Sequence, residues 1–94
     1  MANALKGKIW TLDTAAAVTT DPCYVKKIRW DADTVTAGDD VSITDPVTTG
    51  VLWDTTAPVT NNHNEEALVE EWWPNGFTLT ALGGTGTKVY VHLG

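Results

Sequence analysis

The chain has 94 residues, of which 43% are hydrophobic and 19% charged, too few charges for a disordered segment and too few apolar residues for a membrane protein. A chain of this size holds one core and buries about 60–65% of its unfolded surface. The net charge of −6 and a pI near 4.5 argue against nucleic acid as a partner, because phosphate binding needs clustered Lys and Arg. Only Lys26, Lys27 and Arg29 cluster, and strand alternation would split them between two faces.

Cys23 is the sole cysteine, so an intrachain disulfide and a multi-cysteine zinc site are both excluded. This fits assembly in a reducing cytoplasm. The apolar stretch after Lys6 and Lys8 is cut at Asp13, and no run approaches the roughly 20 apolar residues of a membrane helix. Neither a signal peptide nor a membrane span is expected.

In chain order, residues 1–7 are polar or small apart from Leu5 and read as a flexible arm, leaving residues 8–94 as a single β-domain. Lys8 to Asp13 reads as the first strand. After a turn at Thr19-Thr20-Asp21-Pro22 comes a strand from Tyr24 to Asp31, with Tyr24, Ile28 and Trp30 expected on one face. Asp40 to Asp45 and Gly50 to Thr55 alternate as two strands of a hairpin, the second placing Val51 and Trp53 together. Phe77 to Leu82, with Phe77, Leu79 and Ala81 on one side, and Thr87 to Leu93 read as a second hairpin whose tip is Gly83-Gly84-Thr85-Gly86. Between the hairpins, Ala57 to Gly76 is rich in Asn and Pro. There residues 65–73 fit either a short helix capped by Asn64, with Leu68 and Trp72 on one face, or a further strand. The expected fold is all-β, a small antiparallel β-sandwich or barrel of about six to eight strands.

Residues that could carry chemistry are scattered. Asp31, Asp33, Asp39 and Asp40 crowd together, but a calcium loop started at Asp33 puts Val35 and Ala37 at ligand positions and Thr44 where a bidentate Glu is needed. They read as a solvated turn. His63, beside Glu65 and Glu66, has no second nitrogen ligand nearby, and His92 points away from the Val89, Val91, Leu93 face, so both read as surface histidines. Ser42 lies mid-strand without a nucleophile turn, Cys23 has no evident His partner, and the Gly-rich link lacks the Lys-Ser/Thr ending of a phosphate loop. No enzyme, cofactor or metal is expected.

Trp72-Trp73-Pro74 stands out, because adjacent side chains of an extended backbone point opposite ways. One indole can enter the core while the other stays at the surface, where Trp is enriched at protein–protein hot spots and can also stack on sugar rings. Trp72 and Trp73, with Leu5, Lys6, Ile9 and Trp10 at the N-terminal end, are the candidate partner interface.

The runs Lys27-Ile28-Arg29-Trp30, Thr36-Ala37-Gly38-Asp39-Asp40-Val41-Ser42-Ile43-Thr44-Asp45, Gly50-Val51-Leu52-Trp53-Asp54 and Lys88-Val89-Tyr90-Val91-His92-Leu93 resemble the small β-sandwich virion proteins of tailed bacteriophages. The resemblance covers roughly residues 26 to 93. It does not extend to the Asn-rich stretch from Thr60 to Glu66 or to the Trp72-Trp73 pair. It implies a structural protein of the capsid surface, of the decoration or cement type, which binds the major capsid protein and is assembled in the host cytoplasm. Self-association as a dimer or trimer is left open. A tail or head–tail joining component, or a carbohydrate-binding host-attachment module, is the alternative.

Overall fold

The computed structural model describes residues 3–84 and 87–94. The chain is all-β, with nine strands among the described residues: β1 (Ala4–Lys6), β2 (Ile9–Leu12), β3 (Ala16–Thr19), β4 (Cys23–Ala32), β5 (Asp40–Thr44), β6 (Val51–Thr56), β7 (His63–Trp73), β8 (Phe77–Leu82) and β9 (Lys88–Leu93). They form two antiparallel sheets, one ordered β1-β2-β9-β4-β7 and the other β3-β8-β5-β6. Apolar residues from both sheets meet in a single core, the arrangement of a small β-sandwich.

β4 is an interior strand of the larger sheet, bonded along its length to β9 on one side and β7 on the other. Alternation alone would put Tyr24 on the face of Ile28 and Trp30. Instead Lys26 is an extra residue against β9, and the pairing with β7 shifts at the same point. This bulge reverses the phase, so Val25 enters the core while Tyr24 is turned outward, 40% exposed. Three similar irregularities occur in the other sheet, one of them at Val18 where β3 meets β8, and two of them change which side chains face the core. Leu52 is extra between Trp53 and Val51, so Trp53 packs inward opposite Ile43 while Val51 faces out with Thr44. Thr80 is extra on β8, which turns Leu82 inward beside Val41 and sends Ala81 outward with Ser42.

The β5–β6 hairpin forms as expected. Asp45 organises its turn, accepting hydrogen bonds from the backbone of Val47 at 2.8 Å and Thr48 at 3.0 Å and from the Asn75 amide at 3.2 Å. The N–H groups of Thr48 and Val47, helped by Asn75, hold its carboxyl below the usual carboxylate range against the opposing effect of burial.

The second expected hairpin does not exist: β8 pairs with β3 and β5, and β9 with β2 and β4, in opposite sheets. The Gly-rich link therefore crosses between layers, and its Thr85 and Gly86 lie outside the described residues. The expected arm is also partly strand, since Ala4, Leu5 and Lys6 pair with Thr11, Trp10 and Ile9. Asn3 ties this segment down: its side chain donates to the Thr14 carbonyl at 2.9 Å and accepts from the Asp13 backbone at 2.9 Å.

Residues 65–73, open between helix and strand in the sequence, lie within the longest strand among the described residues, His63–Trp73. There Trp73 turns into the core at 2% exposure and meets Phe77 of the other sheet edge to face, with ring centroids 5.4 Å apart. Trp10 also meets Phe77 edge to face, with centroids 6.3 Å apart. Such contacts add about 0.5–1.5 kcal/mol each beyond area burial. The β7–β8 turn that brings Trp73 and Phe77 together needs Gly76 at φ 76°, packed so closely on Thr19 that any side chain would strike its carbonyl. Trp73→Ala is expected to lower the unfolding free energy by about 3–5 kcal/mol in urea titrations.

Candidate binding face

The register sorts the outer surface of the larger sheet into rows. Thr11, Tyr90, Arg29 and Glu66 form one, and Ile9, His92, Lys27 and Leu68 the next. Beyond the bulge, Tyr24 and Trp72 stand directly opposite each other. Trp72 is 60% exposed and Leu68 71%. The adjacent tryptophans thus part as extended backbone requires, Trp73 to the core and Trp72 to solvent.

β7 inverts the usual pattern for a half-buried strand. Its inward row carries His63 and Glu65 before Ala67 and Val69, whereas the apolar Leu68 and Trp72 face out. Burial of the polar pair is compensated locally: one Glu65 carboxylate oxygen accepts from Thr55 of β6 at 2.8 Å and contacts His63 Nε2 at 3.0 Å. The His63 ring also packs edge to face on Trp30, 5.7 Å between centroids. His63 is therefore half-buried structure and not the surface histidine its Asn-rich surroundings suggest. The Trp30 indole N–H has no acceptor among the described residues although the side chain is fully buried, a cost of about 1–3 kcal/mol.

Of the other interface candidates, Lys6 and Ile9 lie opposite each other on the outer face at its β1 edge. Leu5, 46% exposed, is paired with Trp10 on the core side, and Trp10 packs against the core. Trp73 is buried between the sheets, and Trp10 is half-buried against the same core. Lys27, Arg29, Tyr24, Leu68 and His92 were not selected from the sequence; only register reveals that they share the face with Trp72. The signal that could have found them is the outward apolar row of β7.

Electrostatics on this face are organised around cations. Arg29 lies over the Tyr90 ring, 4.5 Å from its centroid, and Lys27 pairs with Glu66 at 3.6 Å. His92 sits among them with its Nε2 shielded from solvent and unpartnered among the described residues. Burial first, and then the charges of Lys27 and Arg29, hold its imidazole below its ordinary range, with Glu66 opposing.

The residues considered for catalysis are not brought together. Ser42 lies on β5 of the smaller sheet, whereas His63 and His92 belong to the larger one. Cys23 is half-buried, and burial followed by the Asp21 charge pushes its thiol up, away from the nucleophilic thiolate. Among the described residues no group of three or more His, Cys, Asp or Glu is placed to hold a metal ion. At one end of the sandwich, loops enclose an open recess of about 450 Å³ between Thr34, Asp39, Thr60 and Asn61. Its carboxylate is already engaged, accepting from the Thr36 backbone at 2.9 Å.

No protein family matches the chain, and no curated protein or solved structure does so. The functional reading therefore rests on the face itself and on the sequence pattern.

A folded-state imidazole pKa below the unfolded value favours the native state above the unfolded pKa, a contribution lost as pH falls through the folded value. Lys27→Gln removes one of the cations responsible. The His92 titration midpoint, followed by NMR, is expected to rise toward that of an ordinary imidazole.

Proposed function

We propose that the chain is a structural protein of a tailed-phage virion, binding the major capsid protein and stabilising the capsid from its surface. The observation that carries the binding role is Trp72, more than half exposed on a paired strand whose next residue is locked in the core. A large aromatic side chain on such a strand can bury much area with little loss of conformational freedom, which is how hot spots contribute. The phage assignment is supported by the sequence resemblance, and repeated weak contacts on a lattice would multiply the effect of each site.

A second reading, a carbohydrate-binding or host-attachment module, is favoured by the exposed Tyr24 directly across from Trp72, because two neighbouring rings can form a platform for pyranose faces. Saccharide-dependent quenching of tryptophan fluorescence, lost in Trp72→Ala, is its expected signature.

The lattice reading is tested with undecorated tailed-phage capsids assembled from the major capsid protein of the same source. The protein is expected to bind them and raise their resistance to heat. Trp72→Ala should weaken binding about tenfold or more while changing unfolding free energy by no more than about 0.5 kcal/mol. Failure of the wild-type protein either to bind or to protect would overturn the proposal.

A further inference from the structure

The chain's six Lys and Arg residues are confined to one side of the fold. Lys6 lies on β1, Lys8 in the turn after it, Lys26, Lys27 and Arg29 on β4, and Lys88 on β9, all in or beside the larger sheet. The smaller sheet has none. Register places Lys6, Lys27, Arg29 and Lys88 on the outer face, opposite Ile9, His92, Tyr90 and Asp31 respectively, while Ile28, Trp30 and Val89 point inward between them. On the same face stand the carboxylates of Asp31 and Glu66. The remaining acidic residues lie in loops, on the smaller sheet or elsewhere along β7. A protein of net charge −6 therefore presents one face with a positive surplus.

Resting on the reading of this face as a protein-binding surface, we propose that its partner is an acidic protein surface. Partner carboxylates meet Lys6, Lys27 and Arg29, and partner apolar side chains cover Ile9, Leu68 and Trp72. The charge supplies orientation and encounter rate, and the apolar rows supply the lasting contact. Nucleic acid fits less well. Its uniform phosphate charge would meet Glu66 and Asp31 within the face, whereas the carboxylates of a protein surface can be spaced to match the cations alone. A symmetric pair of copies would set the cations of one face against those of the other.

The probe is a synthetic peptide of glutamate alternating with leucine, titrated at low salt into isotope-labelled full-length protein. Beside it run the same peptide with glutamine in place of glutamate and a single-stranded oligonucleotide. Expected are NMR shift changes concentrated on β2, β9, β4 and β7, affinity about tenfold or more greater than for the glutamine peptide, and weakening with added salt. The double variant Lys27→Glu/Arg29→Glu should lose binding while melting like wild type. If that variant is unstable, Lys6→Glu/Lys27→Glu serves the same purpose.

Equal binding of the glutamine peptide, shifts on the smaller sheet, or tighter binding of the oligonucleotide overturns the proposal. So does self-association in sedimentation that the double variant abolishes, which would make the occupant a second copy. The capsid assay separates this inference from the lattice reading. Capsid binding indifferent to charge reversal refutes the acidic partner alone, and peptide binding without capsid binding refutes the lattice alone.

Discussion

Everything on the larger sheet depends on the phase of β4. With a partner on each side, it cannot shift its pairing without moving β9 and β7 with it. The single extra residue at Lys26 lets one ten-residue strand deliver Val25, Ile28, Trp30 and Ala32 to the core while Tyr24, Lys27 and Arg29 reach solvent. Without that insertion the strand would bury Tyr24 and expose Val25. The binding face and the core are two sides of the same register.

That dependence explains which features could be read from the sequence. Strand-forming composition and turn spacing were enough for the all-β class and for the β5–β6 hairpin. Facing was harder, because period-two alternation fails wherever a bulge intervenes. Tyr24, Val51 and Ala81 were each placed on the wrong side of such a point, at Lys26, Leu52 and Thr80. Glycines at the β8–β9 link suit a tight hairpin, but they serve equally for a crossing between sheets, and local turn chemistry cannot separate the two. β1 was invisible because it is three residues long and owes its position to Asn3 and to pairing with β2.

The candidate face was legible at its two ends, through Trp72 and through Lys6 and Ile9, and its middle was hidden for a physical reason. In β7 the leucine and tryptophan that would ordinarily mark a buried side point outward, and a glutamate held by Thr55 and His63 points in. Leu68 and Trp72, four residues apart, imitate a helical stripe. Cross-strand partners, which settle the matter, are contributed by β4, some forty residues earlier in the chain.

β7 also ends its sheet, and an eleven-residue strand with an unpaired outer edge is the kind of segment on which fibrils nucleate. Several features oppose that here. Glu70 adopts φ 53° at the bulge, interrupting the flat run of backbone donors and acceptors, Glu66 and Glu71 add charge along the strand, and Glu65 is a carboxylate directed inward. A second strand laid along this edge would meet a kink and like charges. The strand that exposes Trp72 is thus open to contact through its face and resists growth through its edge, a division that keeps an apolar surface from becoming an amyloid seed.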